Sequence, residues 1–369
     1  MSAPLLDPQD DSRLFTQSLL RWYQRHGRVL PWRQTADPYA IWVSEIMLQQ
    51  TQVSTVLSYY RRFLSAFPTV QDLAAAPLEK VLKSWEGLGY YARARHLHRG
   101  AKEVVGRFNG RVPETIEEIL SIPGIGRSTA GAILTIAFGQ RHPILDGNVR
   151  RVLCRYFAVQ DDPKKKEVEK ELWRRSSELL PKKKVDLYTQ GIMDLGATIC
   201  TPTGPRCPVC PVQNGCRGYR LGVQDALPVK GIKKKIPHRD YVAGVMIDRG
   251  RVLIRRRPLK GLLAGLWEFP AGRIDADVSR GLENELEILF EEEMKLKVRA
   301  GHLWMEIKHT FTHFRMTLRV FVCASERTGK VTAPLRWVRL EDLTDHPFSA
   351  AHQKIVSALL KNKNQSKLF

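Results

Sequence analysis

The sequence predicts a mostly α-helical N-terminal domain followed by an α+β C-terminal domain. In the first half of the chain, apolar residues recur at helical spacing and no segment alternates as a strand does. Beyond about residue 240, alternating apolar and polar residues indicate strands. Residues 224–240 contain prolines, a glycine and a lysine cluster without apolar periodicity, which is typical of a linker. We therefore expect domains at 8–223 and 241–361.

Caps and apolar stripes define the helices of the N-terminal domain. Asp37 followed by Pro38 is typical of a helix start, and this helix should run to Leu48. From Val53 the apolar residues recur at i, i+3, i+4 and i+7 until Pro68 ends the stripe. Further stripes predict helices at about 78–85, 97–108, 116–120, 130–138, 149–156, 168–180 and 187–195.

The C-terminal domain should combine strands with two helices. Residues 241–247 and 251–255 look like a strand pair joined by a hairpin turn. Residues 314–322 alternate, which predicts a strand with one face exposed to water. Helical stretches are expected at about 279–293 and 349–361, followed by a polar tail that should fray.

The charge of the chain indicates a polyanionic partner. Of 369 residues, 59 are Lys or Arg and 38 are Asp or Glu, which leaves a net charge of +21. Such an excess favours phosphate binding through counterion release, although a basic protein without a specialised partner is the alternative. There is no apolar run of about 18 residues and no signal-peptide pattern at the N-terminus. We therefore expect a cytoplasmic protein with no membrane partner.

The six cysteines fall into two groups. Cys154 and Cys323 each lie within an apolar run and should be buried. The other four follow a C-x6-C-x2-C-x5-C spacing, and in a reducing cytosol they predict a metal site rather than disulfides. Four thiolates fit either zinc or an iron–sulfur cluster. The members of this group are Cys200, Cys207, Cys210 and Cys216.

A glycine-containing turn at 123–126 joins two helical stripes. Gly124 and Gly126 let the backbone approach a phosphate closely, and the N–H groups that open the next helix attract anions. The turn could thus hold a nucleic-acid strand without regard to its sequence. An ordinary helix–helix turn is the alternative.

Two carboxylates could act on a glycosidic bond. Asp146 comes directly before a helical stripe, where it could be an N-cap or an anion that stabilises positive charge on a sugar. Glu45 lies in a mostly apolar helix, where burial would raise its pKa and keep it able to donate a proton. The alternative places Glu45 on the solvated side of that helix.

Six sequence blocks resemble those of MutY-type adenine DNA glycosylases, which belong to the helix–hairpin–helix DNA glycosylase superfamily. The resemblance covers residues 14–220 closely and 240–361 more loosely, and the cysteine spacing is similar to that of members with a [4Fe-4S] cluster. The blocks are PWR (31–33), WVSEIMLQQTQV (42–53), WEGLGYYARAR (85–95), IPGIGRSTAGAI (122–133), ILDGNVRRVL (144–153) and MDLGATICTP (193–202).

The resemblance implies a role for each residue that matches a motif. Glu45 would protonate the adenine at N7 and later activate water, Asp146 would stabilise or trap the sugar cation, and Asn148 would orient the site. Gln50 would fill the space left by the flipped adenine, which costs a few kcal/mol to unstack. Tyr90 would intercalate beside the lesion. The remaining substrate and DNA contacts would be Arg28, Trp32, Arg33, Leu48, Thr51, Leu88, Gly124, Gly126, Ser128 and Gln190.

Ser128 matches the position at which bifunctional relatives such as endonuclease III carry a lysine. A hydroxyl cannot form an imine with the sugar, so lyase activity is not expected. Arg150 matches a lysine of some MutY proteins and would bind phosphate.

The C-terminal domain resembles the Nudix-like domain of MutY proteins. The acidic region 283–293 lacks the Arg-Glu pair of a working Nudix helix, so pyrophosphate hydrolysis is not expected. Phe311, Thr312 and His313 resemble the Phe-Ser-His loop that senses 8-oxoguanine, with Thr in place of Ser. The resemblance also implies one [4Fe-4S] cluster on the four cysteines, with a structural role.

These expectations describe a monomeric, monofunctional glycosylase that removes adenine paired with 8-oxoguanine or guanine from double-stranded DNA in base excision repair. It would associate with the nucleoid when bound to DNA. An endonuclease III-like pyrimidine glycosylase is the main alternative enzyme. An iron–sulfur protein that only binds DNA is the alternative from a different class.

Overall fold

A computed structural model describes residues 8–229, 231, 236–274, 281–325 and 331–362. The chain divides into two compact units, residues 1–75 with 96–233 and residues 76–95 with 234–369. The segment 76–95 thus belongs to the second unit, although the chain on either side of it belongs to the first. No helix within the described ranges is long and apolar enough to cross a membrane.

Helices dominate the chain up to residue 220, and each helix expected there is present. The structure also contains three helices that were not predicted: the first, the fourth and a short helix after the cysteine loop. The bounds are α1 Pro8–His26, α2 Pro38–Leu48, α3 Val53–Ala66, α4 Val70–Ala75, α5 Leu78–Ser84, α6 Ala92–Phe108, α7 Ile116–Leu120, α8 Arg127–Phe138, α9 Gly147–Tyr156, α10 Lys166–Leu179, α11 Val185–Asp194 and α12 Arg217–Arg220.

Local chemistry explains where these helices begin and end. The carboxylate of Asp37 accepts hydrogen bonds from two backbone N–H groups at the start of α2, and the Thr115 hydroxyl accepts one at the start of α7. Helix α8 ends at Gly139, whose φ of 64° suits a residue without a side chain. Apolar faces of α1, α9, α10 and α11 then pack into one core, in which Cys154 is buried as expected.

The second unit contains a mixed sheet with helices, as the sequence predicted. The hairpin of the first two strands is confirmed, but the first strand begins at His238, three residues before the expected start, because it pairs with a later strand from that residue onward. The bounds are β1 His238–Asp248, β2 Arg251–Arg256, β3 Trp267–Glu268, β4 Ala271–Ile274, α13 Leu282–Met294, β5 Val298–Thr310, β6 Arg315–Ser325, β7 Leu335–Arg339 and α14 Ala350–Asn362.

The strands form one sheet in the order β3-β2-β1-β6-β5, with β4 paired to β1 and β7 to β2. Strands β1 and β6 are parallel, and β5 and β6 are antiparallel. One face packs against α14 and the other against α13, where Cys323 is buried as expected. Predicted helix residues 279–280 and the tail after residue 362 lie outside the described residues.

Strand β5 was missed in the sequence. Its pairing with β6 shifts register between Ala300 and Leu303 and again between Leu303 and Met305. Each irregularity reverses which side chains face the core, so the alternation that marks β6 does not continue along β5.

Candidate active site

A cavity of about 930 Å³ opens in the helical unit, between α2, α8, the start of α9 and α11. This volume suits a small-molecule site, for which about 300–1,000 Å³ is typical. The side chains come from sequence segments more than 100 residues apart. The predicted site residues that line the cavity are Arg28, Trp32, Arg33, Glu45, Leu48, Gln50, Thr51, Ser128, Asp146, Asn148 and Gln190.

Glu45 faces this cavity from a helix that is otherwise almost entirely buried. Eight of the eleven residues of α2 are buried, including Trp42 and Met47. Glu45 itself is only partly buried, and it lines the cavity. Burial raises the pKa of Glu45 to about 7, the charge of Asp146 acts in the same direction, and the Arg33 guanidinium opposes both. At neutral pH a large fraction of Glu45 is thus protonated and can donate a proton.

Asp146 lines the same cavity and caps a helix. Its Oδ1 accepts a hydrogen bond of 2.7 Å from the Val149 N–H, so it is the N-cap of α9. It also lines the cavity with Glu45, so the N-cap is confirmed and the chemical role stays a prediction. Burial raises the pKa of Asp146, while backbone N–H groups and then the guanidinium groups of Arg151 and Arg150 oppose the rise.

The loop before Asp146 is fixed by Ser128. The Ser128 hydroxyl accepts a hydrogen bond of 3.0 Å from the backbone N–H of Leu145, which precedes the aspartate. Ser128, which was singled out because it lacks an amine, thus helps to hold the loop that contains Asp146.

The sequence analysis missed Asp194, which holds two of the predicted contact residues. Its carboxylate is buried, accepts from Nε of Arg28 at 2.8 Å, and accepts from Nη1 and Nη2 of Arg33 at 2.7 Å. Both guanidinium groups line the cavity. One signal was available in the sequence, since an aspartate within an apolar helix needs a cationic partner.

Arg151 was missed as well. Its Nη2 donates to Oδ1 of Asn148 at 2.8 Å and to the carbonyl of Gly196 at 2.7 Å, and its Nε donates to the carbonyl of Cys200 at 2.7 Å. One side chain therefore connects the asparagine of the cavity with the first cysteine of the loop. Arg150 instead forms an ion pair of 2.7 Å with Glu169.

The glycine turn between α7 and α8 contains two glycines with different surroundings. Gly124 has a φ of 86°, and a Cβ there would lie 2.6 Å from Cβ of His96. At Gly126, the N-cap of α8, a Cβ would meet no atom within 4 Å. The first position therefore needs glycine for the fold, whereas the second leaves open space in front of a helix N-terminus.

The four clustered cysteines line one small cavity, whose apolar wall includes Tyr156 and Leu195. Arg155 is buried there, and its Nη1 lies 3.4 Å from Sγ of Cys200. Backbone N–H groups bond to the sulfurs of Cys210 and Cys216. Burial, the largest cause, raises the pKa of both thiols, and these donors oppose the rise by favouring the thiolate, the form that binds metal. Within the described residues, no three Cys, His, Asp or Glu side chains are placed to hold a single metal ion.

The remaining predicted contacts lie in the second unit. Oη of the exposed Tyr90 lies 3.2 Å from Oγ1 of Thr312, which is in the turn between β5 and β6. In the same turn Phe311 stacks on Phe314 with ring centroids 4.7 Å apart, and His313 is exposed. Leu88 is buried.

Three hydrogen bonds explain why the segment with Tyr90 belongs to the second unit. Oε1 of Glu79 accepts from the Trp267 indole at 2.6 Å and lies 2.9 Å from Nδ1 of His346. Oε1 of Glu86 accepts from the N–H of Phe348 at 2.7 Å. Helix α5 and the turn after it are thereby fixed to the sheet.

Two family comparisons match the two parts of the chain. Residues 43–178 match the HhH-GPD superfamily of base excision DNA repair proteins, and residues 242–358 match the NUDIX domain. The adenine DNA glycosylase of Mus musculus is 36% identical and aligns with 94% of this chain and 78% of its own length. The adenine DNA glycosylase of Homo sapiens is 36% identical, and the alignment covers 92% of this chain and 73% of the human protein. The adenine DNA glycosylase of Buchnera aphidicola subsp. Baizongia pistaciae is 35% identical, and the alignment covers 82% of this chain and 84% of the Buchnera protein.

Solved structures match the helical part. A thermostable thymine-DNA glycosylase superposes with a TM-score of 0.52 and 30% identity, covering 57% of this chain and 98% of that one. Endonuclease III in a trapped covalent complex with DNA superposes with a TM-score of 0.50 and 24% identity, covering 59% of this chain and 99% of that one. The second similarity concerns the fold alone.

Proposed function

Because the chain belongs to the adenine DNA glycosylase family of base excision repair enzymes, we propose that it removes adenine paired with 8-oxoguanine, and less efficiently with guanine, and leaves an abasic site. The observation that carries this proposal is the pair Glu45 and Asp146, which line one cavity in different electrostatic surroundings. One acid and one anion are what N-glycosidic hydrolysis requires.

In the proposed reaction, Glu45 donates its proton to N7 of the flipped adenine. The bond between C1′ and N9 then breaks, and its electron pair leaves with the base. The Asp146 carboxylate faces the positive charge that develops on the sugar and stabilises it. Water adds to C1′ and returns a proton to Glu45. Arg33, held by Asp194, orients toward the same space.

The proposal that the enzyme is monofunctional rests on the residues around the sugar. Ser128 occupies the position of the lyase lysine, and its hydroxyl is engaged with the Leu145 N–H. Among the described residues, none that lines the cavity is a lysine. Without an amine, no Schiff base forms and the DNA strand is not cut.

We further propose that the second unit recognises 8-oxoguanine, with the duplex bound by one copy of the chain. The support is the proximity of Tyr90 to the turn containing Phe311, Thr312 and His313. Gln50, Thr51 and Leu88 are proposed as additional contacts on the basis of the family motifs. A net charge of +21 favours binding to double-stranded DNA. We accordingly propose a cytoplasmic protein that associates with the nucleoid when it is bound to DNA.

A [4Fe-4S] cluster is proposed for the four-cysteine loop. The donor set fits, since four sulfurs line one cavity and receive backbone N–H groups and the Arg155 guanidinium. Cys200, Cys207, Cys210 and Cys216 would hold the cluster, whose contribution is to keep a basic loop folded. Iron and zinc analysis of the purified protein tests this: four irons per chain with a brown colour are expected, and one zinc refutes the cluster.

The substrate proposal is tested with an end-labelled duplex in which adenine faces 8-oxoguanine. Strand breakage at the adenine is expected only after alkali, and none when cytosine faces the lesion. Breakage without alkali contradicts the monofunctional assignment. Release of a pyrimidine instead of adenine favours the endonuclease III-like alternative.

Three variants separate the enzyme from a protein that only binds DNA. Glu45→Gln and Asp146→Asn should each abolish excision and retain duplex binding. Glu103→Gln, which alters an exposed carboxylate on α6, is the matched control and should leave excision unchanged. Wild-type protein that binds the mispair without releasing adenine refutes the proposed activity.

A further inference from the structure

The first helix contributes a side chain to the base pocket that the sequence motifs do not mark. We propose that Tyr23 of α1 is a positioning residue, which holds the carboxamide of Gln190 in one orientation and so helps the enzyme to select adenine. This inference rests on the proposed function, because it assumes that Gln190 faces the flipped base.

The contact itself is short and buried. Oη of Tyr23 donates a hydrogen bond of 2.7 Å to Oε1 of Gln190. Tyr23 is 7% exposed and Gln190 is 8% exposed, so water has little access to this bond. Gln190 also lines the cavity that contains Glu45 and Asp146, whereas Tyr23 lies behind it. The phenol therefore touches a pocket residue without reaching the substrate.

The Tyr23 ring is fixed by close backbone contacts on two sides. A Cβ at Gly27 would lie 2.8 Å from Cε2 of the ring, and a Cβ at Gly191 would lie 3.2 Å from its Cγ. Gly191 follows Gln190 directly, so α1 and α11 are in close contact beside the hydrogen bond. A ring with so little space cannot change rotamer, and its hydroxyl holds one place. Burial, the largest cause, raises the pKa of Tyr23, so the phenol keeps its proton at any physiological pH.

The orientation of a carboxamide determines what the base encounters. One end of the group is an acceptor and the other carries two donors. Because Tyr23 occupies Oε1, Nε2 is the end left for the pocket. Adenine has a donor at its 6-position and an acceptor at N1, and hypoxanthine has the reverse pattern. In the proposed complex Nε2 is held opposite N1, where it donates to adenine but meets a second donor in hypoxanthine, whereas a carboxamide that can rotate adapts to either base.

The test compares single-turnover excision of adenine and of hypoxanthine, each opposite 8-oxoguanine. Tyr23→Phe removes only the hydroxyl. We expect the rate on adenine to fall about fivefold, which corresponds to one typical net hydrogen bond. The rate on hypoxanthine should stay constant or rise, so the ratio of the two rates falls. A purely structural role would lower both rates equally and leave the ratio unchanged.

Tyr188→Phe is the matched control. Tyr188 lies two residues before Gln190 on the same helix and is also buried, but its hydroxyl has no hydrogen-bond partner among the described residues. Its removal should change neither rate nor their ratio.

A double-mutant cycle makes the result independent of folding effects. Gln190→Ala should lower the adenine rate and the ratio by itself, and adding Tyr23→Phe should then have no further effect. If Tyr23→Phe lowers the rate by the same factor with and without Gln190, the positioning role is refuted. If wild-type protein releases no adenine at all, the proposed function has failed instead, and the two failures are thus distinguished.

Discussion

The raised pKa of Glu45 implies that the enzyme gives up stability in order to keep its acid. In the unfolded chain this carboxyl group ionises near pH 4.5, whereas in the folded protein it ionises near pH 7. Between these values the folded state binds more protons than the unfolded state, so stability falls as pH rises. Below pH 4.5 both states are protonated and the cost vanishes, and above pH 7 it is present in full.

The magnitude follows from the two pKa values. At 1.36 kcal/mol per pKa unit, a rise from 4.5 to about 7 corresponds to about 3 kcal/mol. Because the side chain is partly exposed to the cavity, we take about 2 to 3 kcal/mol. Glu45→Gln removes the ionisation and keeps the shape. The variant should therefore be inactive and, above pH 7.5, more stable by this amount, which corresponds to a Tm increase of about 5–10 °C for a unit of this size.

The assay is urea unfolding of the wild type and of Glu45→Gln at pH 5, 6, 7 and 8, with Glu103→Gln as the control. The gain in unfolding free energy of Glu45→Gln over the wild type should be small at pH 5 and grow up to about pH 7.5. The difference between Glu103→Gln and the wild type should stay constant with pH. In parallel, the single-turnover rate of the wild type should fall about tenfold per pH unit above pH 7, since only protonated Glu45 donates. A stability gain that is equal at pH 5 and pH 8 would show that burial does not set this pKa.

Three further changes have defined outcomes. Asp194→Asn leaves two partly buried arginines without their shared anion and should lower the free energy of unfolding by about 3 kcal/mol in urea, together with a loss of excision. Gly124→Ala should destabilise the protein and weaken DNA binding, since its Cβ would collide with His96, whereas Gly126→Ala should leave Tm within about 2 °C because its Cβ enters open space. Ser128→Ala should lower the excision rate and cost about 1–2 kcal/mol, since it leaves a backbone N–H of the catalytic loop without its acceptor, and alkali-free strand cleavage should stay absent.

Local patterns in the sequence were sufficient for most helices and for strand β6, although the face of β6 that was expected to meet water is largely buried, at Thr317, Phe321 and Cys323. The helix from Pro38 was predicted because its cap and first turn are encoded within four residues, and β6 because its alternation is unbroken. Strand β5 contains two irregularities that cancel the alternation, and no neighbouring residue reveals them. Secondary structure was thus predictable where the determining interactions are local.

In the candidate site, contacts between residues far apart in the sequence could not be predicted. Glu45 and Asp146 could be named from their motifs, but the cavity that they share is a property of the fold. Asp194 binds arginines more than 160 residues away, and Tyr23 binds Gln190 across 167 positions. Similarly, the assignment of residues 76–95 to the second unit depends on partners such as Trp267 and His346. Such contacts leave no periodic trace in a single sequence.

The surroundings of the two carboxylates determine which of them keeps the proton. Burial raises the pKa of both, and their mutual repulsion means that the first ionisation makes the second harder. Asp146, however, receives backbone N–H groups and two guanidinium charges, whereas Glu45 has Arg33 alone as an opposing charge. Asp146 thus has more contacts that favour its ionised form than Glu45 has, although burial raises the pKa of both groups. In the proposed reaction this difference would leave the proton on Glu45, the acid, and the negative charge on Asp146, the anion.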